Sequence, residues 1–226
     1  MSLVKVCGVT ITLNPASTVM FTGDSITGLW RQDGDDRAAY PLQVAGRWSF
    51  EHPDRPLTWL NTGYRGDTTA DLEARWQADV LDARPDVLSI LVGINDAGGH
   101  TIDPATPVVS AEEFAATCRR LLAPLADAGT RLILIEPFLL AVDGVVEAGG
   151  MRIGEQERKQ WREDLEPKIG VVRALAREYG AELLEADRMF TELSARRPPE
   201  HWAEDGVHPT AAGHSALAEA WLELVE

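Results

Sequence analysis

Val19-Met20-Phe21-Thr22-Gly23-Asp24-Ser25 carries an apolar, β-favouring run into an abrupt Gly-Asp-Ser turn, and Ile26-Thr27-Gly28-Leu29-Trp30 follows with a helical start. A strand that ends on such a turn and passes straight into a helix is the opening unit of a parallel α/β sheet. Ser25 then lies at the C-terminal edge of the strand and at the N-terminus of the helix. Backbone N–H groups point outward there and favour negative charge. Open α/β sheets place their chemistry at that edge.

Working outward, β-type runs at 18–22, 57–62, 87–92, 131–137 and 181–185 alternate with segments whose apolar residues recur every three or four positions. Leu72, Trp76 and Val80 mark one helix, capped by Thr68-Thr69-Ala70-Asp71. Ser110-Ala111-Glu112-Glu113 reads as the capping box of the next. Trp161, Leu165, Ile169, Val172, Leu175 and Tyr179 line a long helix in which Pro167 is expected to cause a kink or a break. A last helix runs from about 211 towards 224. Buried strands each followed by a helix predict a three-layer α/β/α, flavodoxin-like fold around a five-stranded parallel sheet. One domain is expected over 17–226, with residues 1–16 as an N-terminal arm or extra edge strand. Polar stretches bearing Gly or Pro at 31–56, 97–109 and 141–154 read as functional loops.

The chain has 226 residues, 45% of them hydrophobic and 25% charged, which suits one globular domain. No apolar run approaches bilayer-spanning length. The net charge of −15 repels phosphate backbones and anionic headgroups, so neither nucleic acid nor a membrane is an expected partner. A small-molecule substrate, neutral or cationic, suits the field, and a homo-oligomer stays open. MSLVKVCGVTITLNP lacks the features of a secretory signal. Cys7 and Cys118 are far apart and without metal-ligand spacing, and Cys118 shares an apolar stripe with Phe114, Leu121 and Leu125. A cytoplasmic protein is the expectation, with neither metal nor cofactor.

Asp205-Gly206-Val207-His208-Pro209, near the far end, is the one place where a histidine follows an aspartate by three positions. A serine hydroxyl is a weak nucleophile until an adjacent base takes its proton, and that base needs a group to fix its tautomer and stabilise its charged form. Asp205 and His208 can do this for Ser25 from a single loop. Attack on a carbonyl also develops negative charge on oxygen, which calls for preorganised donors. Gly66, in the loop leaving the second strand, can offer an exposed backbone N–H. Asn95, just after the third strand, can offer its side-chain NH₂. The plainer reading of each is local: Gly66 permits a tight turn, and Asn95 closes an Asx turn. All four segments fall at strand ends or in the loop before the last helix, which favours a shared site.

Other chemistries draw on the same residues. A non-catalytic flavodoxin-like module would cradle a phosphate on the Gly23-Asp24-Ser25 turn, although no Gly-rich phosphate loop follows a strand. Asp24, Asp205 and His208 would be the groups of a metal-assisted phosphoester hydrolase. Trp76, Trp161 and Trp221 sit at helical spacing and read as core. Trp30 and Trp202 lie beside the site segments, within reach of a substrate, while Trp48 and Trp59 stay open. His214 reads as a surface or locally satisfied histidine, and Asp24 and Asp96 as side chains bonding their own loops.

Gly23-Asp24-Ser25-Ile26, Gly66, Asn95 and Asp205/His208, in that order, resemble the blocks of the SGNH, or GDSL, hydrolases. The resemblance extends over nearly everything from Val19 to Trp221. It implies an esterase with Ser25, His208 and Asp205 as triad and Ser25, Gly66 and Asn95 as oxyanion hole. NTGYRGDTTADLEARWQADVL, PDVLSILVGINDAG and EDGVHPTAAGH are similar to a subgroup of intracellular carbohydrate deacetylases that includes esterases of acetylated xylo-oligosaccharides. The expected substrate is a short acyl ester, acetyl above all, on a small saccharide. A longer-chain lipase or thioesterase of the same family is the alternative.

Overall fold

A computed structural model describes residues 10–32, 39–102, 108–148 and 151–226; the side chains at 29–32, 99–102, 148 and 151 lie outside that description. Five strands, β1 (Thr18–Gly23), β2 (Thr58–Asn61), β3 (Val87–Leu91), β4 (Arg131–Ile135) and β7 (Glu182–Leu184), form one parallel sheet in the order β2-β1-β3-β4-β7. β5 (Val146–Ala148) and β6 (Met151–Ile153) make a separate antiparallel hairpin. The helices are α1 (Ser25–Gln32), α2 (Tyr40–Glu51), α3 (Thr69–Trp76), α4 (Ile94–Ile102), α5 (Ala111–Asp127), α6 (Glu155–Tyr179), α7 (Ala186–Ser194) and α8 (Ala211–Leu222). This is the expected three-layer α/β/α arrangement.

The strands alternate their apolar side chains between two cores, because successive residues point to opposite faces. Val19, Phe21, Val87, Leu91, Ile133 and Ile135 face one way, onto Tyr40 and Trp48 of α2, Phe190 of α7 and Trp221 of α8. Met20, Leu88, Ile90, Leu132 and Leu134 face the other, onto Leu72 and Trp76 of α3, Phe114 and Cys118 of α5, and Val172 and Leu175 of α6. Each fully buried side chain of this size contributes roughly 1.5–3 kcal/mol. The two indoles at the centre of these faces are hydrogen-bonded: Trp221 Nε1 donates to Ser89 Oγ (3.0 Å) and Trp76 Nε1 to the Leu121 carbonyl (2.9 Å). A third cluster joins Ile94 and Ala97 of α4 to Trp161 and Leu165 of α6 and to Val207, at the carboxyl ends of the strands.

Several elements differ from expectation. Pro167 lies inside α6, which runs unbroken over 25 residues, so the expected break does not occur. Tertiary burial of Trp161, Leu165, Ile169 and Leu175 outweighs the local cost of the proline. The polar stretch at 31–56 contains α2, which buries Tyr40, Val44 and Trp48, and the stretch at 141–154 contains the hairpin. Near the amino end, Ile11 and Leu13 donate their N–H groups to the carbonyls of Leu224 and Glu226, so 11–13 lie along the C-terminal tail, while residues 1–9 of the expected arm or edge strand lie outside the described residues.

The strand order changes direction between β1 and β3, since the chain moves from β1 to β2 on one side and then to β3 on the other. Loops at such a switch point diverge and leave a crevice at the carboxyl ends. Ser25 follows β1 and Asn95 follows β3.

Candidate active site

β1 ends on Gly23 at φ +139°, where a Cβ would lie 1.9 Å from the Leu91 carbonyl oxygen. Only glycine allows this approach of the two strands. Asp24 then caps α1. Its Oδ1 accepts the Ile26 N–H (3.0 Å), and its carbonyl accepts from Thr27 and Gly28. Ser25 is thereby fixed as the first residue of α1, with its own N–H bonded to no group among the described residues. Its Oγ lies 2.9 Å from His208 Nε2.

His208 is held by the loop before α8. Asp205 Oδ1 accepts the N–H groups of Val207 (2.9 Å) and His208 (2.7 Å), while Oδ2 lies 2.6 Å from His208 Nδ1. Burial pushes the Asp205 carboxyl up, but the His208 ring and the two backbone donors outweigh it and hold it below the usual carboxylate range. An ionised carboxylate only accepts, so it places the ring proton on Nδ1 and leaves Nε2 to accept from Ser25. The Leu140 N–H donates to the Gly206 carbonyl (2.9 Å) and ties this loop to the segment after β4.

The two remaining predicted site residues come from neighbouring loops. Gly66 sits at φ +82°, and its N–H donates to no group among the described residues. Its loop is fastened to the Gly23-Asp24-Ser25 turn by Tyr64 N–H to the Gly23 carbonyl (2.9 Å) and by Asn61 Nδ2 to the Thr27 carbonyl (2.8 Å). Asn95 lies in the first turn of α4 and spends one side-chain N–H on the Asp67 carbonyl (3.0 Å). An amide carries two such donors, so one is left for a ligand.

The two aspartates next to these residues behave differently. Asp24 bonds its own turn, as expected. Its Oδ2 has no hydrogen-bond partner among the described residues, and burial pushes the carboxyl up to about 7. Asp96 reaches beyond its own loop: both carboxylate oxygens accept the Thr69 N–H (3.1 Å each), and Oδ1 also accepts the Thr69 hydroxyl (2.6 Å). Burial raises its pKa too, against the opposing pull of the Thr69 donors. The sequence reading missed Thr69 as a site element, because in sequence it is merely the residue after a helix cap.

Trp76, Trp161 and Trp221 are core residues, as expected. His214 is fully buried, and its Nδ1 accepts the Tyr40 N–H (3.3 Å). Trp202 is half-buried, packs on the first core cluster and donates Nε1 to the Arg197 carbonyl (3.3 Å). The Trp30 side chain lies outside the described residues. Among the described residues no group of three or more His, Cys, Asp or Glu side chains is placed to hold a metal ion.

The sequence profile of the GDSL-like lipase/acylhydrolase family matches residues 21–216. An acetylxylan esterase of Geobacillus stearothermophilus is 30% identical over 92% of this chain and 93% of its own. The crystal structure of Axe2, an acetylxylan esterase from that organism, superposes with a TM-score of 0.78 at 29% identity, covering 93% of this chain and 94% of the other. A putative GDSL-like lipase from Parabacteroides merdae gives 0.82 at 26% identity, over 96% of this chain and 98% of the other. Two further Axe2 structures are described as catalytic mutants, one of a histidine and one of an aspartate three positions before it in that chain. The present protein is a carboxylic ester hydrolase, and its chain belongs to the GDSL-like lipase/acylhydrolase family.

Proposed function

We propose that this esterase removes acetyl and other short acyl groups from a small, neutral saccharide, using Ser25, His208 and Asp205. The observation that carries the reading is the continuous hydrogen-bond chain from Ser25 Oγ to His208 Nε2 (2.9 Å) and from His208 Nδ1 to Asp205 Oδ2 (2.6 Å). Ser25 Oγ attacks the ester carbonyl as His208 takes its proton. The imidazolium, stabilised by Asp205, then protonates the departing sugar oxygen. Water repeats the sequence on the acyl-enzyme and releases acetate. The N–H groups of Ser25 and Gly66 and the Asn95 amide are the donors for the developing oxyanion. Asn95→Ala should therefore lower kcat by roughly 10²–10³, with a smaller effect on KM, because that bond strengthens only as charge forms.

The names of the acetylxylan esterases support acetyl as the acyl group, and their catalytic histidine and aspartate share the spacing of His208 and Asp205. The polar sequence of the 31–56 stretch, whose Arg31, Asp33, Asp35, Asp36 and Arg37 side chains lie outside the described residues, suits a hydroxylated substrate better than a long acyl chain. Trp30 and Trp202 remain the proposed sugar contacts. We place the reaction in the cytoplasm on a small-molecule ester, without nucleic acid or membrane. Buried, free Cys118 fits a reducing compartment, and no helix among the described residues is long and apolar enough to cross a membrane.

A chain-length series of aryl esters, run beside acetylated xylo-oligosaccharides and monosaccharides, tests this. The expected result is a kcat/KM maximum at acetyl and turnover of at least one acetylated sugar. A maximum at about eight carbons or longer would instead establish a deep apolar pocket and a lipase-like function. Reaction with acetyl aryl esters but no acetylated sugar would remove the carbohydrate.

A further inference from the structure

An oxyanion hole built from two loops works only if those loops keep a fixed separation, because donors misplaced by a fraction of an ångström lose most of their hold on the transition state. In this fold Gly66 belongs to the connection between β2 and α3, and Asn95 to the connection between β3 and α4. β2 and β3 are not neighbours in the sheet; β1 lies between them. Strand pairing alone therefore does not set the distance from Gly66 to Asn95.

Two consecutive residues of the first turn of α4 span that gap. Asn95 Nδ2 donates to the Asp67 carbonyl (3.0 Å), and the Asp96 carboxylate takes both donors of Thr69, N–H (3.1 Å) and hydroxyl (2.6 Å). The contacts bracket Thr68, the N-cap of α3, which is closed from its other side by Asp71 in a capping box. Thr69 is the first residue of α3, so its N–H has no acceptor within the helix, and Asp96 supplies one from another element. Gly66 stands directly before the gripped segment. Asp96 is 2% exposed and Thr69 is 1% exposed. A hydroxyl-to-carboxylate bond of this length, shielded from water, is among the stronger neutral-to-charged contacts available to a side chain.

We infer that Asp96, acting through Thr69, is a positioning residue that sets the separation of the two oxyanion donors, Gly66 and Asn95. The inference rests on the reading of those two residues as donors. Asp96 makes no hydrogen bond to Ser25 among the described residues; it joins the loop of Gly66 to the helix of Asn95. Its neighbour Asn95 serves that junction at the same time, with one N–H holding the loop and the other left for the ligand.

The test compares Thr69→Val, Thr69→Ser and Asp96→Asn in the full-length enzyme, with circular dichroism as the check on folding. Valine keeps the shape of threonine but loses the hydroxyl. Asparagine keeps one acceptor and turns an amide donor towards the Thr69 donors. Thr69→Val and Asp96→Asn should lower kcat on a short aryl acetate by about 10- to 100-fold with KM nearly unchanged. Affinity for phenylboronic acid, which forms a tetrahedral adduct on the serine, should weaken in parallel. Thr69→Ser, which keeps the hydroxyl, should restore kcat to within about threefold of the parent. A folded Thr69→Val with unchanged kcat overturns the inference. So does a loss of kcat without weaker boronate binding, or a Thr69→Ser as impaired as Thr69→Val. Ser25→Ala separates the two readings. Turnover surviving in Ser25→Ala removes the reading of the whole site, whereas a dead Ser25→Ala beside a fully active Thr69→Val removes the positioning role alone.

Discussion

Asp24 and Asp205 are both carboxylates within electrostatic reach of His208, and they hold their protons in opposite ways. Asp205 is surrounded by donors: the His208 ring at 2.6 Å, the His208 N–H at 2.7 Å and the Val207 N–H at 2.9 Å. Asp24 has one, the Ile26 N–H at 3.0 Å, and its second oxygen meets no partner among the described residues. Burial raises both. Only where donors outnumber its effect does the carboxyl stay below its ordinary range, as Asp205 does, while Asp24 is pushed to about 7. The His208 ring, bonded to Asp205 and not to Asp24, is what separates the two. A carboxyl that must orient an imidazole and steady its charge has to be ionised whenever the imidazole works. Asp24, next to Ser25, can cap a helix in either protonation state.

The contrast breaks most visibly at Asp205. Asp205→Asn should lower kcat by about 10⁴ while leaving substrate affinity largely intact, because the amide presents a donor to Nδ1 and favours the wrong tautomer. Steady-state kinetics on an aryl acetate measure it. An Asp205→Asn enzyme within tenfold of the parent would remove Asp205 from the chain.

Asp24 gives the next effect, in stability. Its folded pKa is raised, so between the unfolded value near 4 and about 7 the folded state holds the extra proton, and stability falls as pH rises through that window. Asp24→Asn cannot titrate and should flatten the decline by up to ~4 kcal/mol between pH 4 and 8. Urea midpoints of both proteins across that range measure the difference, and parallel profiles would mean that Asp24 does not titrate there.

The smallest effect lies on the acid side. The folded pKa of Asp205 is lowered, so its contribution to stability is present above the ordinary carboxylate value and is lost as pH falls through the folded one. The stability gap between the parent and Asp205→Asn should accordingly narrow below pH 4. Denaturation at pH 3 and 6 checks this, and a gap of constant size would contradict the lowered pKa.

The strands were legible in the sequence because burial on both faces leaves short continuous apolar runs, and 87–92 and 131–137 differ from the observed β3 and β4 only at their ends. The meeting of Ser25, His208 and Asp205 was legible because strand-end turns and a three-residue spacing are local signals, and Asp205 meets His208 within one loop. What the sequence hid is what one element does for another. Asp24 and Asp96 look alike on paper, each beside a site residue, yet one bonds two residues ahead and the other reaches 27 positions back to Thr69. α2 was hidden by a polar surround, its inward face being only Tyr40, Pro41, Val44 and Trp48. The hairpin did leave a mark, since Gly149-Gly150 separates two short alternating runs, a known two-residue hairpin signature.

The most direct measurement is the site of covalent labelling by a serine-directed organophosphate, located by mass spectrometry and followed alongside loss of esterase activity. The account expects one phosphoryl adduct per chain, on Ser25, formed in step with inactivation and absent from Ser25→Ala, with activity indifferent to chelators. An adduct on another residue that tracks the loss of activity, or an enzyme that resists the reagent but is stopped by a chelator, would contradict it.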